Sequence, residues 1–171
     1  MGGFDMATYL DIASNARANL ILSNAKDGQK IIRIDGRDSN FKVLEFRCKD
    51  GTDQILLDTQ LVCVLQRIRD FYGDCVWINS AFRTQSHNER VGGSPNSQHL
   101  YGKAADIHVR SQTLADNTQL AMVAELAGAS GIGLYGDFVH VDVRQGKSLF
   151  LGKGALNAKV IRGGSFLPFR A

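Results

Sequence analysis

The stretch that most constrains this chain is Phe138-Val-His-Val-Asp-Val143. Its β-branched content and strict alternation predict a strand, in which successive side chains point to opposite faces. Val139, Val141 and Val143 then face a core, while Phe138, His140 and Asp142 share the other side. An imidazole and a carboxylate on a buried strand are costly unless each has a partner. A metal ion would be such a partner; a hydrogen-bonded His–Asp pair with a purely structural role is the other reading. Either way, the chain must fold so that a polar cluster lies against a sheet.

A second segment offers more of such a cluster. Ser97-Gln-His-Leu-Tyr-Gly-Lys-Ala-Ala-Asp106 places an imidazole and a carboxylate seven positions apart, with Gly102, Ala104 and Ala105 between them. Small residues let the backbone turn, so that His99 and Asp106 can converge. A mixed nitrogen and oxygen donor set suits zinc, and three protein ligands leave a fourth position open. His108 shares a strand face with Asp106 and competes as a ligand, whereas His87 sits in a polar loop, where exposure or substrate contact is expected. Cys48, Cys63 and Cys75 are an odd set with no C-x-x-C pair. They are expected to be buried thiols, not disulfides or a cysteine zinc site.

Around these segments, Met6, Tyr9, Leu10, Ala13 and Leu20 keep a helical beat and predict an amphipathic helix over 6–22, closed by Asn24 to Gly28. Strands are expected at Lys30 to Ile34 and Phe41 to Cys48, separated by a turn cluster from Asp35 to Asn40. Asp58 can cap a helix whose Leu61, Val64, Leu65, Ile68 and Phe71 line one face and which Gly73 ends. Then come a strand from Cys75 to Asn79, a long polar loop from Ser80 to Gln98, a strand from Ala104 to Val109 and a helix over 115–127. Loops of that length inside a compact domain are usually functional. The Gly-rich, basic residues 145–171 read as an appendage. The expectation is one small α+β domain, an antiparallel sheet with flanking helices: lead-in 1–40, core 41–144, appendage 145–171.

Composition excludes several function classes. With 171 residues, 44% hydrophobic and 22% charged, the chain is neither disordered nor collagen-like. No run reaches the roughly 18–20 apolar residues of a spanning helix. A net charge of +3 would help docking on an anionic polymer but is too small for a nucleic-acid footprint.

With these residues in view, the sequence resembles the zinc D-Ala-D-Ala metallopeptidases, a superfamily that also includes phage L-alanyl-D-glutamate endopeptidases and the hedgehog zinc fold. Ser97, His99, Gly102, Ala104 and Asp106 match its Ser-x-His-x-x-Gly-x-Ala-x-Asp motif, Asn79-Ser-Ala-Phe-Arg-Thr84 is similar to its arginine-bearing segment, and Phe138-Val-His-Val-Asp142 is similar to its second metal motif. The resemblance implies one zinc ion held by His99, Asp106 and His140, and Arg83 reaching a substrate carbonyl oxygen. Many members carry a glutamate three positions before the last ligand; here Asp137 stands there, so Asp137 and Asp142 are both candidates for the catalytic base. Ser97, Tyr101 and Tyr135 are expected to contact substrate.

The implied activity is hydrolysis of the stem peptide of bacterial peptidoglycan, by a D,D-carboxypeptidase or endolysin-type endopeptidase acting as a monomer, without nucleic acid or membrane insertion. A non-catalytic cell-wall-binding module and a phage structural component are the alternatives. The opening Met-Gly-Gly-Phe-Asp-Met lacks the basic start and apolar run of a secretory signal. Cytoplasmic synthesis is therefore expected, with release as a phage-type lysin or carriage on a virion.

Overall fold

A computed structural model describes residues 9–23 and 27–166. In chain order the elements are β1 (Tyr9–Ile12), β2 (Asn19–Ser23), β3 (Ile31–Ile34), β4 (Arg37–Lys42), a 3-10 turn (Val43–Phe46), β5 (Gln54–Asp58), α1 (Thr59–Tyr72), β6 (Trp77–Ser80) and α2 (Gln85–Arg90). A second 3-10 turn (Gln98–Tyr101) leads to β7 (Ala104–His108), α3 (Leu114–Leu126), β8 (Gly131–Leu134), β9 (Val139–Asp142) and β10 (Ser148–Leu151).

The α1 helix forms where its local signals put it. The Asp58 side chain accepts from the Gln60 N–H at 2.9 Å, and Gly73 ends the helix at φ 60°, the left-handed conformation glycine adopts without strain. Leu61, Val64, Leu65 and Ile68 are buried, but Phe71 is 59% exposed and stacks edge-on with Tyr72 instead of joining the core face.

Five strands, in the order β10-β8-β9-β7-β6, form the sheet that carries the site. It is antiparallel except at one edge, where β10 runs parallel to β8. Its register sorts side chains into two sets. The rows Ile107–Val139–Leu134–Leu151 and Ala105–Val141–Ile132–Leu149 face the core, where α3 packs on β8 and β9 and α1 packs on α3. The alternate row runs Asp106–His140–Gly133–Phe150 across the other face. At β6 a bulge between Ile78 and Ser80 advances the strand by one residue, so that Ile78 pairs with core-facing Ile107 while Ser80 pairs with Asp106. A three-stranded sheet (β1-β3-β4) and the β2–β5 ribbon complete the α+β fold.

Several expectations are corrected here. No helix occupies 9–22: Tyr9–Ile12 pairs in parallel with β3 and Asn19–Ser23 pairs antiparallel with β5. Met6 and residues 24–26 of those readings lie outside the described residues. The expected turn cluster from Asp35 to Asn40 is mostly strand β4, and the expected strand from Phe41 to Cys48 is largely a 3-10 turn. The long polar loop contains α2. Within the residues read as an appendage, Ser148–Leu151 is a sheet strand. Cys48 and Cys63 are buried free thiols, whereas Cys75 is half-buried.

Candidate metal centre

The segment carrying His99 is a single 3-10 turn. Ser97 caps it, its hydroxyl accepting from the His99 N–H, and Gly102 closes it at φ 64°. A Cβ on Gly102 would stand 2.4 Å from the Leu56 carbonyl oxygen, so conformation and space both require glycine there. The turn delivers His99 opposite β7 and β9, which place Asp106 and His140 as directly paired residues. All three side chains are buried.

Their inward atoms converge. His140 Nδ1 is 3.0 Å from Asp106 Oδ1, and His99 Nε2 is 3.2 Å from both His140 Nδ1 and Asp106 Oδ1. The outward nitrogens fix the tautomers. His99 Nδ1 lies 2.6 Å from the Ala81 carbonyl oxygen, which can only accept, so this nitrogen carries the proton. His140 Nε2 lies 3.0 Å from Asp142 Oδ2 and donates to it. Two imidazole lone pairs and a carboxylate oxygen therefore point at one another. Three acceptors at that spacing repel unless a cation or protons stand among them, and this donor set is the one zinc prefers. The residues fit a zinc ion, with His99 Nε2, Asp106 Oδ1 and His140 Nδ1 as ligands.

With no cation among these atoms, protons would take its place, and the titration directions describe that state. Burial pushes the His99 imidazole below its usual range. Burial also disfavours charge on His140, but hydrogen bonds to Asp106 and Asp142 outweigh it and raise its pKa. Against the same burial, bonds from His140 and His99 hold the Asp106 carboxyl well below the usual carboxylate range. Burial thus favours the neutral His99 imidazole, while Asp106 stays a carboxylate.

Further side chains hold the ligands in place. Arg83 Nη2 donates to Asp106 Oδ2 at 2.6 Å, leaving Oδ1 as the inward atom, and Arg83 Nε donates to Ser80 Oγ at 2.9 Å. No hydrogen bond to Arg83 Nη1 is made among the described residues. The Arg83 N–H donates to the His99 carbonyl, and Thr84 caps α2. Asp142 is fully buried behind His140 and accepts from the Arg144 N–H, from its Nε at 2.9 Å to each oxygen and from its Nη2. Despite burial, the bonds from His140 and Arg144 hold its pKa down. A Cβ on Gly131 would fall 2.1 Å from an Asp142 oxygen, so the neighbouring strand yields this space by carrying no side chain.

The remaining predicted residues are placed as follows. Asp137 is exposed in the turn before β9, and its carboxylate pairs with nothing among the described residues. Tyr135 stacks on Phe138 with ring centroids 4.2 Å apart; burial raises its pKa, and the charges of Asp106 and Arg83 also reach it. Tyr101 is 47% exposed. Ser97 is engaged as the cap. His108 stacks on Trp77 at 5.3 Å and stands outside the ligand cluster, and His87 lies in α2. Sequence reasoning missed Arg144, the Ala81 carbonyl and Phe150, whose ring is 5.6 Å from that of His140. Arg144 follows Asp142 by two positions, the one signal that could have marked it. A polar cleft of about 690 Å³ between the β3–β4 turn and α1 shares no residue with the cluster, so the site is recognised by its donor set and not by cavity size.

Residues 39–142 match the family described as Peptidase M15. The zinc D-Ala-D-Ala carboxypeptidase of Streptomyces albus G is 36% identical over 87 residues, which cover 50% of this chain and 34% of that protein. This chain thus spans about a third of the length of the curated relative it matches. The family match takes in more than half of the chain, including Arg83 and all three clustered side chains, and the chain belongs to the peptidase M15 family.

Proposed function

We propose that this chain is a zinc-dependent peptidase that hydrolyses a bond in the stem peptide of bacterial peptidoglycan, with one ion per chain. The observation that carries the reading is the inward convergence of two imidazole lone pairs and one carboxylate oxygen, each held by its own outward partner. When bound, zinc supplies a Lewis acid that polarises a carbonyl and lowers the pKa of water to about 7. The chain's own residues do the rest. Ala81 and Asp142 keep the outward protons on His99 and His140. Arg83 offers Nη1 to the oxygen of the scissile carbonyl as negative charge builds there, a task suited to a guanidinium that never deprotonates.

The base role falls to Asp137. Asp142 is sealed behind His140 with both oxygens bonded to Arg144, so it orients the ligand. Asp137 is exposed, unpaired among the described residues and three residues before His140. Its carboxylate takes the proton of the attacking water and returns it to the leaving amine nitrogen. All three ligands come from one chain, which supports a monomer as the working unit.

The relative's name makes a D-Ala-D-Ala terminus the first substrate to try, with an endopeptidase bond in the same stem the second. Defined stem peptides are incubated with zinc-loaded protein, with and without chelator, and the products are read by mass spectrometry. Chelator-sensitive release of a new amine terminus is expected. Stoichiometric zinc with no cleavage of any stem bond would instead support a non-catalytic zinc module.

A further inference from the structure

We infer that Phe150, on the edge strand β10, forms the apolar wall of the substrate site and selects an uncharged side chain next to the scissile bond; this rests on the peptidase reading above. The argument begins with register. Asp106, His140, Gly133 and Phe150 are successive cross-strand partners on β7, β9, β8 and β10, so all four face the same side of the sheet. Gly133 is the gap in that row. A Cβ there would lie 2.2 Å from Phe150 Cε2, so the phenylalanine ring leans across the bare backbone of β8 toward the metal ligand. It ends with its centroid 5.6 Å from the His140 ring and 6.3 Å from the Tyr135 ring.

Tyr135 extends the same surface by stacking on Phe138, and all three aromatic rings are half-buried, so each keeps an open portion. Gly152 makes room in turn for Tyr135, since a Cβ at that position would stand 2.1 Å from its ring. The C-terminal segment is thus fitted to the metal face at two glycines. Phe150 and Gly152 lie beyond residue 142, where the family match ends, whereas Tyr135 and Phe138 lie within it.

The chemistry of the wall defines its ligand. Rings present an electron-rich face that favours aliphatic groups and disfavours a carboxylate. On the opposite side of the row stand Arg83 and Ser80, which are polar. A peptide lying across the row would turn its carbonyl toward Arg83 and its side chain toward Phe150. An alanine methyl suits that place and a glutamate side chain does not.

The test compares wild type with Phe150→Ala and Phe150→Tyr, using stem peptides that carry alanine or glutamate beside the scissile bond. Zinc content, melting temperature, kcat and KM are measured, and peptide binding is followed by calorimetric titration. Phe150→Ala should raise KM for the alanine peptide about tenfold, the scale of one apolar subsite contact, with kcat within about twofold and zinc unchanged. Its preference for alanine over glutamate should shrink by a similar factor, and Phe150→Tyr should retain both. A lower melting temperature with KM and preference unchanged would mean that Phe150 only packs the sheet edge, and would overturn the inference. Should wild type turn over no peptide, the peptidase reading fails, but titration still decides this one. Tighter binding of the alanine peptide that weakens about tenfold in Phe150→Ala sustains the wall. Equal binding by both proteins, or none by wild type, refutes it.

Discussion

The two faces of the five-stranded sheet are made by alternate residues of the same strands, yet different physics governs them. On the core face, Ile107, Val139, Leu134, Val141 and Ile132 are fully buried, and each contributes about 1.5–3 kcal/mol by leaving water. On the other face, Asp106, His140 and Asp142 are also buried but stabilise little by burial. Their desolvation is offset by partners at hydrogen-bond distance: Arg83 for Asp106, Asp142 for His140 and Arg144 for Asp142. One face is stable because it is apolar; the other is ordered because each polar atom is answered. Substitutions on the first should cost stability, and substitutions on the second should cost metal and chemistry.

The largest expected effect is on the polar face. His140→Ala should lose zinc, with affinity falling by more than about a hundredfold, since even indirect partners of a ligand are worth 10–100-fold. The wild-type melting temperature should rise on zinc loading, as ligand linkage requires, and that of the variant should not. Metal analysis after dialysis and paired melting curves check this. Asp137→Asn should keep its zinc and stability while turnover falls by about two to four orders of magnitude, the usual weight of a general base. A variant as fast as wild type would return the base role to another group.

The core face gives the reverse pattern. Ile107→Ala should cost about 2–5 kcal/mol in urea unfolding, as large-to-small core changes do. Where the variant stays folded, zinc affinity should be near normal. Arg144→Ala sharpens the contrast, because it leaves the Asp142 carboxylate buried and short of donors. Zinc affinity should fall about 10–100-fold by chelator competition, a larger proportional effect than on the unfolding midpoint.

The smallest effect concerns how the C-terminal residues are tied down. Burial tends to raise the Glu125 pKa, but bonds from Lys147, Ser165 and the Phe166 N–H lower it below its ordinary value of 4.5. A carboxyl depressed in the folded state adds stability that is present above its unfolded pKa and lost as pH falls through the folded one. Wild type should therefore lose stability below about pH 4.5, and Glu125→Gln should flatten that part of the profile.

Legibility followed locality. The α1 helix could be read because its cap, apolar stripe and terminal glycine lie within its own span. The cluster could be anticipated because His99 and Asp106 share one short motif, His140 lies on an alternating strand, and the family resemblance joined the three. Tyr9–Ile12 and Asn19–Ser23 kept a helical beat but are strands, since β3 and β5 supply partners that no local pattern reveals. Strand β8 went unseen because Gly131 and Gly133 weaken its strand signal, and both glycines are there to clear space for Asp142 and Phe150. The same holds for β10, whose glycine-rich surroundings suggested an appendage but fit it against Tyr135. The sequence also could not reveal Arg144 closing over Asp142, the contact on which our proposal of Asp137 as the base rests.

X-ray absorption at the zinc edge of the loaded protein tests the central claim most directly. The account predicts one zinc per chain with a light-atom shell containing two imidazoles and a carboxylate, and loss of one imidazole contribution in His99→Ala or His140→Ala. A shell containing sulfur, or one unchanged by both substitutions, would contradict it.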